Sequence, residues 1–150
     1  MNRLFNVVLA TAAFAGMSLV AAKSLNVKDL PAAVQKTVME HAKGGEIKNI
    51  VKETEKGVTS YEVESLLNGK HRDFNVDTKG VLLVMEEEVS IDSIPAAAKA
   101  AILKKAGAGK LGMVETVTKG GTTLYKAAYT GKAGKKQSVL VKADGTETKD

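Results

Sequence analysis

The residues best equipped for chemistry are few and scattered. His41 and His71 are the two histidines, and neither keeps the spacing to further His, Cys or carboxylate ligands that a zinc site uses. His41 falls near the end of a predicted helix, where it would cap carbonyls. His71 stands between Lys70 and Arg72 at a strand start and is expected in solvent. The chain has no cysteine, which excludes a thiol nucleophile, a thiolate metal site and any disulfide. The stretch from Gly107 to Gly112, GAGKLG, echoes a phosphate loop. That motif needs a glycine where Lys104 stands and a Ser or Thr where Leu111 stands, so the stretch reads as a helix stop and turn. Neither G-x-S-x-G nor H-E-x-x-H occurs. Glu86, Glu87 and Glu88 carry oxygens suited to Ca²⁺, but successive strand residues point to opposite faces, which disfavours a joint cage. No catalytic residue, metal site or cofactor is expected.

Charge carries more information. Residues 30–92 hold eight Lys and Arg against twelve Asp and Glu, a net of −4, whereas residues 93–150 hold eleven Lys against four acids, a net of +7. This polarity suits an acidic partner, a polyanionic surface or a second copy packed head to tail. Lys126, Lys135, Lys136 and Lys142 are expected to gather on or near one sheet. Tyr61 and Tyr125 read as packing residues, and Tyr129 as a contact residue. The candidate partner-binding set is therefore Lys126, Tyr129, Lys135, Lys136 and Lys142. Nucleic acid is disfavoured: no arginine follows Arg72, and aromatic residues make up 4% of the chain, too few for stacking platforms.

The elements that must position these residues are written twice. LPAAVQKTV at 30–38 returns as IPAAAKAAI at 94–102. Farther on, Thr54, Gly57, Thr59 and Tyr61 recur as Thr118, Gly121, Thr123 and Tyr125; after one inserted residue near Gly134, Lys70, Val76 and Gly80 recur as Lys135, Val141 and Gly145. A shared register over that length is the signature of a repeated structural unit. Leu30, Val34 and Val38, and later Ile94, Ala98 and Ile102, fall four apart and form one apolar stripe per helix. Asp29 and Ser93 are placed to cap helices that open at Pro31 and Pro95; Gly44-Gly45 and Gly107 to Gly109 stop them. Alternating segments follow: 46–57, 58–66, 71–77 and 81–89, then 110–121, 122–130 and 136–145, with a short polar tail. The expected class is α+β, a tandem repeat in which each unit is one helix on an antiparallel sheet of about four strands. The boundaries are 23–92 and 93–150.

Ahead of these units, Met1-Asn2-Arg3 leads into an uncharged run from Leu4 to Ala22, ending Val20-Ala21-Ala22 before Lys23. This is the pattern of a secretory signal peptide over residues 1–22. After cleavage no membrane span is expected, and the mature chain would work in the periplasm or outside the cell.

The order LPAAV, GEI, GVTSYEV, FNVD, then IPAAA, GKL, TTLYKA, VLVKADG resembles the PepSY-like family, also called beta-lactamase-inhibitor-like proteins, over about Asp29 to Lys149. The match departs from the family pattern at Lys126-Ala127-Ala128 and at Val141-Lys142. The resemblance implies an exported, non-catalytic binding or inhibitory module. The leading expectation is a protein that occupies or regulates an envelope or extracellular protein, such as a peptidase or other hydrolase, through its sheet surface. Two alternatives stand beside it. One is a sensor or buffer for a small ligand or cation using Asp73, Asp77 and Glu86 to Glu88; the other is a self-assembling structural protein.

Overall fold

The computed structural model describes residues 24–55, 57–131 and 133–149; the expected signal peptide lies outside them. Two helices, α1 (Ala32–His41) and α2 (Ala96–Ala106), each precede four strands: β1 (Glu46–Glu55), β2 (Val58–Leu67), β3 (Lys70–Asp77) and β4 (Leu82–Glu88), then β5 (Lys110–Lys119), β6 (Thr122–Thr130), β7 (Lys136–Val141) and β8 (Glu147–Thr148). All eight strands form one antiparallel sheet in chain order. The short polar tail forms the two-residue β8.

Two tandem units, each a helix on its own sheet, are therefore not what the chain forms. β4 pairs with β5 through Met85–Thr118, Glu86–Val117, Glu87–Thr116 and Glu88–Glu115, so one sheet runs through the whole repeat. The physical reason lies in the edges. Separate sheets would leave β4 and β5 with rows of unpaired N–H and C=O groups, and pairing satisfies both rows at once.

Both helices lie on one side of this sheet. In β2 and β3 the buried positions alternate, Tyr61 and Val63 against Val76 and Phe74, as a half-buried strand requires. They pack with Val34, Val38 and Ala42 of α1 and its C-cap, and with Leu30, Ile50 and Met85. Met85 pairs with Thr118, and by alternation Val114 shares that face. Val114 packs with Ala98, Ile102 and Ala106 of α2, together with Ala127, Tyr129, Val139 and Val141. Burying each large side chain such as Ile102 contributes about 1.5–3 kcal/mol.

The helix starts differ from expectation. Pro31 and Pro95 occupy the N-cap positions, without a side-chain cap, while Asp29 and Ser93 belong to the short turns before them. Asp29 accepts from the Asn26 amide at 3.1 Å, and the Ser93 hydroxyl donates to the Ser90 carbonyl at 2.7 Å. The Gln35 side chain reaches back to the Leu30 carbonyl at 2.8 Å.

Close contact between sheet and helix depends on two glycines in equivalent turns. Gly80 and Gly145 both have φ +84°, and a Cβ would stand 2.6 Å from the Ala33 carbonyl oxygen and 2.7 Å from that of Ala97, respectively. Only glycine combines that backbone with that approach. Thr37 seals the first contact by donating to the Gly80 carbonyl at 2.6 Å. The β2–β3 hairpin closes through Asn68 and Gly69, at φ 54° and 79°, the pair of left-handed residues that a two-residue turn of matching twist requires.

Candidate interaction surface

The side of the sheet away from the helices is built by the other half of each alternation. Residues paired across strands share a face, so the registers define rows. One runs Val51, Glu62, Asn75, and the next runs from Asn49 and Glu64 to Asp73, Glu86, Val117 and Leu124. The last holds Glu88, Glu115, Lys126 and Leu140. Val84, Val117 and Leu140 form a third apolar cluster, with Leu124 against it and no helix residue in it. Val117 is nonetheless 1% exposed.

Beside that apolar floor sits a buried charge triad. The Lys126 ammonium lies 2.6 Å from Glu86 Oε2 and 2.9 Å from Glu115 Oε2, and the three side chains are 14%, 15% and 7% exposed. Burial alone would pull the Lys126 pKa down; the hydrogen bonds and charges of Glu86 and Glu115 outweigh it and hold the ammonium above its ordinary value. Burial raises Glu86, and Lys126 opposes that rise while Glu115 and Asp73 add to it. One ammonium thus serves two carboxylates, leaving one negative charge in excess when both are ionised.

Toward β1 the face turns acidic. Burial pushes the Glu62 carboxyl up to about 7; the charge of Glu53, a hydrogen bond with Glu53, and the charges of Glu64 and Asp73 act in the same direction. Asp73 is also raised, chiefly by burial, against the hydrogen bond it accepts from the Ser65 amide. Two neighbouring carboxyls that cannot both shed their protons cheaply titrate as a pair.

The five residues expected to bind a partner occupy different settings. Lys126 is engaged in the triad. Tyr129 faces the helix side, 6% exposed, and donates its hydroxyl to Gln137 Oε1 at 2.9 Å. Lys135, Lys136 and Lys142 are exposed; Lys135 lies in the turn before β7, Lys136 begins that strand, and Lys142 follows its end. Alternation with Tyr125 and Ala127 is the sequence signal that places Tyr129 inside.

The two histidines are not brought together. The His41 ring packs tilted against Phe74, centroids 5.9 Å apart, rather than capping the helix. His71 is exposed, with Nδ1 3.8 Å from Asp73 Oδ2. The carboxylates considered for cation binding are committed elsewhere. Asp77 accepts from the amides of Lys79 and Val81, each at 2.8 Å, Glu87 pairs with Arg72 at 3.2 Å, and Glu88 accepts from the His71 amide at 3.1 Å. Among the described residues no group of three or more His, Asp or Glu is arranged to hold a metal ion. No described helix is long and apolar enough to cross a membrane.

No family model matches the chain, and no curated protein matches it. Its fold is shared with solved structures. A protein of Bacteroides eggerthii described as periplasmic aligns with TM-score 0.65 and 17% identity, over 80% of this chain and 86% of that one. A DUF2874 family protein of Bacteroides uniformis aligns with TM-score 0.64 and 15% identity, over 79% and 86%. A BLIP-like protein of Bacteroides fragilis gives TM-score 0.58 and 20% identity, over 79% and 83%. The class of fold is thus that of the BLIP-like and DUF2874 proteins.

Proposed function

We propose that the chain is an exported, non-catalytic binding protein of the periplasm that engages another protein through the helix-free face of its sheet. The observation that carries this reading is the one-sided architecture: both helices cover one face, and the other, free of helices, carries the part-exposed Leu124 over a buried apolar cluster, a charge triad and an acidic margin. The pattern of residues 1–22 supports export, and the periplasmic description of a protein with the same fold agrees with it. Likeness in fold to a BLIP-like protein supports protein binding over chemistry on a small substrate. The partner we favour is an envelope peptidase or other hydrolase, which the module would occupy or regulate. In this reading Lys135, Lys136 and Lys142 contribute a basic edge at β7.

Affinity capture from bacterial envelope extract, with the purified exported protein as crosslinkable bait and mass spectrometric quantification, tests this function. One near-stoichiometric partner is expected, and its activity should change on adding the bait. A folded bait that returns no enriched protein would overturn the binding reading and leave the ligand-sensing and self-assembly alternatives.

A further inference from the structure

We infer that the outer edge of β7 takes up an extended, acidic segment of the partner protein as an added strand, in the place that β4 holds beside β3. This rests on the reading that the chain is a binding protein with a basic edge at β7. It names a second contact, beyond the helix-free face, and the backbone chemistry that makes it.

The repeat shows what such an edge holds. β3 and β7 are counterparts, Val76 standing for Val141 and Gly80 for Gly145. β4 pairs along β3 from Val76 back to Arg72, whereas β8 pairs only with Leu140 and Val141 of β7. The Lys142 N–H reaches the Thr146 carbonyl at 2.9 Å, so by the two-residue period of a strand Leu140, Ser138 and Lys136 turn their backbone groups to that same side. Among the described residues no strand and no backbone hydrogen bond meets that side of Ser138 or Lys136, and both residues are exposed. The counterpart of Ser138 is Asp73, which β4 covers with Glu86. Unpaired ladder groups of this kind are a template for another chain.

Two further observations fix the kind of strand. A groove of about 410 Å³ opens between α2 and the β7–β8 corner, bordered by Ala101, Lys104, Val139 and Gly145. In the first unit Phe74, the counterpart of Val139, pairs with Met85, which is buried in the core under α1. A side chain opposite Val139 on an added strand enters the groove in the same way. The surroundings are basic: residues 93–150 carry a net +7, and among the described residues no ion pair reaches Lys104, Lys135 or Lys136. Lysines on a strand edge repel a like edge. The same charges admit an acidic strand, whose carboxylate opposite Lys136 forms a favourable cross-strand pair.

A short synthetic peptide alternating glutamate with valine is the probe. Its controls are the same peptide with lysine for glutamate, and the glutamate peptide with its backbone amides N-methylated. Each is titrated into the purified exported protein and followed by calorimetry and by amide hydrogen exchange. The glutamate peptide is expected to slow exchange at Lys136 and Ser138, and N-methylation should weaken it about tenfold or more. Ser138→Pro removes an outward N–H at an edge position that accepts proline and should weaken binding comparably. The Lys104→Glu, Lys136→Glu double variant should weaken it roughly 5- to 20-fold without any change to the backbone. Melting curves matching the parent's will show that neither loss is unfolding. Equal binding of the N-methylated peptide would refute strand addition, and equal binding of the lysine peptide would refute the acidic partner. Protection confined to Glu62, Asp73 and Glu86, or no binding of any peptide, would overturn the edge inference while envelope capture by the parent protein still upheld the binding function. Concentration-dependent mass abolished by Ser138→Pro would assign the edge to a second copy of this chain and overturn a separate partner.

Discussion

Replacing Glu62 by glutamine isolates the cost of the acidic margin. Glutamine keeps the size and can still donate to Glu53, so it imitates the protonated acid without its charge. The folded-state pKa rises from 4.5 to about 7, with burial the leading cause and Glu53 second. For an acid the sign is unfavourable. Below about pH 4.5 the carboxyl is neutral in both states and costs nothing; between 4.5 and 7 the unfolded chain releases the proton while the folded chain retains it; above 7 the cost is complete. At 1.36 kcal/mol per pH unit the ceiling is about 3 kcal/mol. Glu62 is only half-buried, and water screens the charge, which reduces the expected figure to roughly 1–2 kcal/mol. Urea unfolding of parent and Glu62→Gln should therefore show the variant more stable by about that amount near pH 8 and indistinguishable near pH 4. An equal gain at both pH values would trace the effect to packing and refute the electrostatic argument. No gain at either would show that Glu62 ionises freely.

Three further outcomes follow from particular contacts. Lys126→Met strands Glu86 and Glu115 in a nearly dry site and should cost about 3–5 kcal/mol, whereas replacing all three with apolar residues of similar volume should restore most of that loss in urea unfolding. Gly80→Ala forces a side chain into the left-handed region and onto the Ala33 carbonyl; a loss of about 1–3 kcal/mol or more is expected by thermal unfolding, while Gly57→Ala, whose Cβ meets nothing within 4 Å, should cost less. Tyr129→Phe removes one hydrogen bond to Gln137 from a buried ring and should cost about 0.5–1.5 kcal/mol, leaving partner capture unchanged.

The repeated text of the chain made the elements legible because periodicity is local. Val34 and Val38 mark the buried stripe of α1, and the alternation around Tyr61 and Val63 marks β2, without reference to the rest of the fold. What repetition cannot express is which edges meet. The β4–β5 pairing joins the end of one copy to the start of the next, a contact with no counterpart inside either copy. The same limit governs the candidate site. Lys126 read as an available cation because its partner Glu86 lies 40 residues away, and only the β4–β5 and β5–β6 registers bring Glu86, Glu115 and Lys126 into one cluster. Strand alternation sets Glu62 and Glu64 opposite Tyr61 and Val63, but their crowding with Glu53 and Asp73 needed the neighbouring strands. The helix caps failed for a simpler reason: Pro31 and Pro95 take the N-cap positions themselves, and the polar residues before them close separate turns.

The central claim is that the helix-free face is where a partner binds. Its most direct test is a photocrosslinking amino acid placed at Leu124, on that face, and in parallel at Leu103, 44% exposed on the outer side of α2. Irradiation in envelope extract should give a discrete crosslinked species from position 124 and none from 103. A species from 103 with a blank at 124 would contradict the account and move the interaction to the helices.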